Sequence, residues 1–322
     1  NSFFKTKKYI ADQATKAVFS LIKKARNMHL SIDLQLELFD KLVKPILLYG
    51  CEVWGFGNIE VIERVQLKFL KSILKLKTST PNYMVYGEVG IMPLKIDIYT
   101  RMISYWGKIC RADYNANLVS TFIYYAARSY YNCCNITNRS FYFRWIHCIK
   151  SILCNCGFSG IWENNDFPNQ KWLSLSIKQK LTDIYLNEWY QNVQMDKNYR
   201  LFKKSFIFEN YISKVPYNML PYIISFKTRN HKLPVEIGRW NKIEYNRRHC
   251  DLCKQDIGDE YHYLLICNNL KDIRKQYIKP YFYRRPNILK YEQLLNSKNM
   301  KILTSLAKFI KYIYDINSEN TS

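Results

Sequence analysis

The stretch "CDLCKQDIGDEYHYLLIC", residues 250–267, gathers three cysteines and a histidine. The order is Cys250, two residues, Cys253, eight residues, His262, four residues, Cys267. Zinc takes four soft or borderline ligands in a small tetrahedron, and a C-x2-C turn aims two thiolates at one ion from one tight loop. His262 and Cys267 would then come from the next element, with Gly258 supplying the reversal between the pairs. Arg247, Arg248 and Lys254 stand beside the thiols. Their charge favours thiolate and offsets the single negative charge of a Cys3His–zinc centre. With all four positions filled by protein, the zinc would be structural and not catalytic. Other readings stay open. A redox pair of Cys250 and Cys253 wants a βαβ context that the flanks lack. A disulfide leaves His262 and one cysteine unexplained. The chain has ten cysteines, so a chance grouping also has weight.

A second chemistry lies in the charge. The chain has 322 residues with 49 Lys and Arg against 26 Asp and Glu, a net charge of +23. Such an excess points to a polyanion, nucleic acid first and an anionic membrane surface second. Aromatics make up 16% of the chain, and rings fill cores or stack on unpaired bases. Beside the cysteine cluster, "KDIRKQYIKPYFYRRP" carries Lys271, Arg274, Lys275, Lys279, Arg284 and Arg285 against one acid, Asp272. Tyr277, Tyr281, Phe282 and Tyr283 are interleaved with them. Cations would track phosphates and rings would stack on bases. A solvated helix with its rings turned into the core fits the same pattern. Upstream, Lys68, Lys71 and Lys75 lie off the apolar stripe of their helix and are candidates for the same grip.

The elements that must position these residues read as helices. Hydrophobic residues are 48% of the chain, while Gly and Pro number only 10 and 9. Ile10, Ala14, Ala17, Val18, Leu21 and Ala25 recur at helical steps, as do Leu38, Leu42 and Ile46 after a cap at Ser31. Ile62, Val65, Phe69, Ile73 and Leu76 form another stripe, and Ile98, Met102 and Trp106 a further one. Thr80 and Pro81 read as a cap and first-turn pair. Pro234 and Gly238 read as a loop or short strand. Cys133, Cys134, His147, Cys148, Cys154 and Cys156 crowd together without metal-site spacing and read as buried thiols. The expected fold is mostly α. A thumb-like helical bundle (1–115) and an aromatic-rich helical connector (116–240) precede a small zinc-knuckle module with its basic flank (241–285). A helical tail (286–322) closes the chain.

The chain opens on Asn1 and not Met, as a piece of a longer protein would. No signal-peptide pattern opens it and no apolar run approaches the roughly 20 residues of a membrane span. An intracellular protein, nuclear or cytoplasmic and not secreted, is the expectation, with cysteines kept reduced. The sequence sets no oligomeric state.

"LFDKLVKPILLYGCEVWG" and "IERVQLKFLKSILKLKTSTPNYMVYGEVGIMPLKI", with "NHKLPVEIGRW" and "HCDLCKQDIGDEYHYLLIC", resemble the region beyond the catalytic palm of non-LTR (LINE-type) retrotransposon reverse transcriptases. The resemblance covers nearly the whole chain. It implies a thumb and C-terminal zinc knuckle that grip template RNA and target DNA during target-primed reverse transcription. Cys250, Cys253, His262 and Cys267 would be the zinc ligands. The catalytic part does not carry over. Two magnesium ions need closely spaced carboxylates, the family's aromatic-x-Asp-Asp motif, and this chain has no adjacent Asp pair. Magnesium therefore belongs to the parent polymerase alone, and the fragment itself is expected neither to polymerise nor to cut. Two further readings remain: part of an active enzyme whose palm lies upstream, or a decayed remnant without activity.

Overall fold

The computed structural model describes residues 3–111, 119–133, 144–164 and 167–319. Among them the fold is mostly α, with no strand and two isolated antiparallel bridges, Val89–Phe208 and His249–Ile257. The chain forms two compact units. Neither is a single run of sequence. The first comprises residues 1–69 and 92–189, the second 70–91 and 190–322. The four consecutive segments expected from the sequence are thus distributed differently: residues 70–91, from the thumb-like block, pack with the C-terminal third.

The first unit is built on helices Phe4–Asn27, Leu94–Arg111, Val119–Cys133 and Arg144–Asn155. Ile10, Ala14, Val18, Leu21 and Ala25 are buried as their spacing predicts. Ile98, Met102 and Trp106 are wholly buried, and the Trp106 indole donates to the Tyr124 hydroxyl at 2.7 Å. The second segment differs by one register step. Ile32, Phe39, Val43 and Leu47 face the core, whereas Leu42 is exposed. A leucine-rich run offers two adjacent stripes, and stacking of Phe39 on Phe69, 4.4 Å between centroids, selects this one. Ser31 sits at the cap position without a side-chain bond. Pro45 is absorbed because a π-helical turn, Phe39–Val43, ends before it and a fresh turn starts at Lys44. There a missing N–H costs nothing.

The second unit carries helices Asn82–Val89, Leu220–Lys227, Pro234–Trp240, Lys271–Tyr277, Ile288–Leu295 and Met300–Glu319. Leu306, Ile310 and Ile313 of the last helix are fully buried. Pro234 opens a helix where a loop or strand was expected, because Pro is pre-set for the first helical position. Gly238 lets the Arg248 side chain cross that helix; a Cβ there would stand 2.5 Å from Arg248 Cγ. Helix Asn82–Val89 begins one residue later than expected, with Pro81 at the cap position. The Thr80 hydroxyl is left without the capping role its position predicts.

Among the described residues no helix is long and apolar enough to cross a membrane.

Candidate metal centre

The local backbone brings the four ligand residues together. Cys250 N–H donates to the Asp256 carbonyl at 2.8 Å, and Lys254 N–H donates back to the Cys250 carbonyl at 2.9 Å. Lys254 takes a left-handed conformation, φ 58°, to close this turn. Gly258 N–H donates to the Arg248 carbonyl at 2.8 Å, beside the His249–Ile257 bridge. The glycine is required by proximity: a Cβ there would stand 2.9 Å from Cys250 Cα. Asp259 then accepts from His262 N–H at 2.8 Å and starts the π-helical turn His262–Ile266, which ends at Cys267.

The ligand atoms of Cys250, Cys253, His262 and Cys267 all lie within 4.8 Å of one another. Cys250 Sγ and Cys267 Sγ are 3.8 Å apart, and Cys253 Sγ is 3.3 Å from His262 Nε2. Zinc–sulfur bonds of about 2.3 Å and zinc–nitrogen bonds of about 2.0–2.1 Å place tetrahedral ligands roughly 3.5–3.8 Å apart. The sulfurs stand far beyond the roughly 2.05 Å of a disulfide. The close contact between the two sulfurs favours thiolate at Cys250, whose pKa is lowered from the usual thiol range by the Cys267 partner. His262 is 4% exposed, and its Nδ1 is buried without a hydrogen bond among the described residues. Asp256 Oδ2, 3.5 Å from Nδ1, is the carboxylate in line to orient the ring. Three thiols and one imidazole, converging and all buried except the half-buried Cys253, are compatible with structural zinc. They leave no protein-free position for a reacting water.

The surroundings lock the cluster. Arg274 is 4% exposed and donates to the carbonyls of Leu264 at 2.7 Å and Cys267 at 2.8 Å. Arg248 donates to the carbonyls of Val235 at 3.0 Å and Ile243 at 2.9 Å. Asn269 caps the Leu252 carbonyl at 2.7 Å. The Tyr263 hydroxyl accepts from Asp251 N–H at 3.2 Å and donates to Asn317 Oδ1 at 3.0 Å, so the C-terminal helix braces the knuckle-like turn.

The cations expected to grip nucleic acid separate into two groups. Lys68, Lys75, Arg247, Lys271, Lys275, Lys279, Arg284 and Arg285 are exposed. Lys71 is half-buried, and its Nζ donates to the Thr78 carbonyl at 2.7 Å. Arg248 is half-buried. Arg274 is turned inward because its guanidinium satisfies backbone carbonyls, so its place is in the scaffold and not on the surface. Of the rings beside them only Tyr281 is exposed; Phe282 is in the core and Tyr277 stacks on Phe309 at 6.1 Å.

In the other cysteine-rich stretch, Cys156 is buried, Cys148 half-buried and Cys154 exposed. Burial pushes the Cys148 and Cys156 thiols up to about 11. Cys134 and the side chain of Cys133 lie outside the described residues. Sequence reasoning missed Asn317 and Asn269 as supports of the centre, since nothing in their spacing marks them.

A scan against family models and searches of curated proteins and of solved structures return no match for this chain.

Proposed function

We propose that the chain is a zinc-stapled, nucleic-acid-binding region of a LINE-type retrotransposon reverse transcriptase, lacking the catalytic palm. The observation that carries this reading is the Cys3His cluster, whose four ligand atoms all lie within 4.8 Å of one another, compatible with one structural zinc ion. It is followed in the sequence by exposed Lys271, Lys275, Lys279, Arg284 and Arg285, in a chain of net charge +23. Zinc fixes the turn that precedes the basic helix Lys271–Tyr277. The cations beside it contact phosphates of template RNA or target DNA. The module binds and positions; polymerisation requires carboxylates that this chain does not carry.

Two measurements test the reading. Metal analysis of the purified protein should give one zinc per chain, lost in Cys250→Ser and His262→Ala. Affinity for single-stranded RNA or DNA should fall with salt, each neutralised phosphate adding roughly 0.7 to the logarithmic slope. Wild-type protein without stoichiometric zinc, or binding indifferent to salt, would sink it.

A further inference from the structure

Away from the zinc cluster, the second unit holds a cavity of about 170 Å³. Its lining includes Thr80 and Pro81 at the start of helix Asn82–Val89, with Arg229, Arg239, Trp240 and one acid, Asp196. Thr80 is 4% exposed, and its hydroxyl has no hydrogen-bond partner among the described residues. Arg229 Nε is likewise buried without a hydrogen bond. An unsatisfied buried hydroxyl costs free energy unless something enters to accept or donate to it.

The arginines are held in advance. Glu236 is 0% exposed; its Oε1 lies 2.5 Å from Arg229 Nη2 and its Oε2 accepts from Arg239 Nε at 2.8 Å. Asp196 Oδ2 is 3.6 Å from Arg229 Nη1, and Glu260 Oε1 is 3.9 Å from Arg229 Nε. These carboxylates fix the guanidiniums, yet none bonds Thr80. Further cations lie nearby. Lys77 Nζ lies 4.8 Å over the Trp240 ring, and Lys71 bonds Asn82 Oδ1 at 3.1 Å. A helix N-terminus adds partial positive charge. Planar guanidiniums with a hydroxyl and a helix N-terminus suit a tetrahedral oxyanion.

We propose that this cavity binds one phosphate group, held between Thr80 with the start of helix Asn82–Val89 and the paired guanidiniums of Arg229 and Arg239. A nucleic-acid backbone and a free phosphate present the same oxygens. The site stands apart from the zinc cluster, and only its backbone source rests on the function proposed above.

The test uses the full chain, wild type against Thr80→Val and Arg239→Gln. Thr80→Val keeps the shape and removes an unpartnered hydroxyl, so the variant should fold with undiminished stability. Inorganic phosphate is titrated at constant ionic strength and read by 31P line broadening; a single-stranded oligonucleotide is titrated in parallel by anisotropy. Roughly tenfold weaker phosphate binding in Thr80→Val supports the site. Loss confined to the oligonucleotide also supports it and assigns the phosphate to the backbone. If Thr80→Val and Arg239→Gln bind both probes like wild type, the proposal is overturned. Phosphate binding that responds to the variants, beside oligonucleotide binding insensitive to salt, would keep this site and remove the nucleic-acid function.

Discussion

The guanidinium of Arg274 donates a 2.8 Å hydrogen bond from Nη2 to the carbonyl of Cys267, the last residue of the Cys3His cluster. The same side chain reaches Leu264 through Nε. A residue from the basic flank thus ties down the turn that presents His262 and Cys267, two of the four candidate ligands. Burial of an arginine is tolerated where its donors meet backbone carbonyls.

Arg274→Leu should therefore act on stability and zinc retention. The Leu264 carbonyl loses a donor and the Cys267 carbonyl keeps the Leu270 N–H, a destabilisation of about 1–3 kcal/mol. Urea unfolding with chelator competition for zinc measures both. A variant with an unchanged midpoint and zinc affinity, weakened only for RNA, would return Arg274 to the surface grip.

Gly258→Ala tests the turn from another side. The glycine has no left-handed φ, so alanine meets no backbone strain; it meets Cys250 Cα and Pro234 Cγ, each 2.9 Å from the new Cβ. Moving Cys250 spreads the thiols, and zinc affinity should drop at least about tenfold, as for loss of a supporting interaction. Competition against a chromophoric chelator reads this directly, and wild-type affinity would refute the close-approach explanation.

The exposed cations should govern salt dependence without touching the metal. The triple variant Lys279→Gln, Arg284→Gln, Arg285→Gln should lower the salt slope for single-stranded nucleic acid by roughly 2. Its zinc content should stay at the wild-type level. Lys275 should contribute less, because Asp272 pairs with it at 2.8 Å. An unchanged slope would place the binding surface elsewhere.

Lys7 makes a prediction about pH. It is 2% exposed, with Nζ bonded to the carbonyls of Phe56 at 2.6 Å and Asn58 at 3.1 Å. Burial pulls its pKa down to about 8 from 10.5. The unfolded chain then binds more protons between those values, so stability rises with pH across the window and falls back as pH drops through about 8. The stability difference between wild type and Lys7→Met should grow on the order of 1–3 kcal/mol from pH 8 to 10.5. A flat difference in pH-stepped urea unfolding would contradict the burial effect.

The closeness of Cys250, Cys253, His262 and Cys267 and most helical faces were legible because both are local. C-x2-C and H-x4-C specify turns within a few residues, and Ile62, Val65, Phe69, Ile73 and Leu76 declare a stripe by spacing alone; all five are buried. The Leu38–Leu42–Ile46 stripe failed because two adjacent stripes were equally apolar, and Phe69 in another helix chose between them.

By itself, then, the sequence determined a mostly helical chain, an excess of positive charge and four converging ligands, since composition and short-range periodicity carry those properties. Only the tertiary structure decided which cations are free. Lys279, Arg284 and Arg285 face solvent, while Arg274 and Arg248, from the same basic flanks, meet carbonyls. It also set residues 70–91 in the C-terminal unit and left the Thr80 hydroxyl without a partner. The reason is physical: the fate of a polar side chain depends on which distant backbone groups need a donor, and spacing along the chain does not encode that.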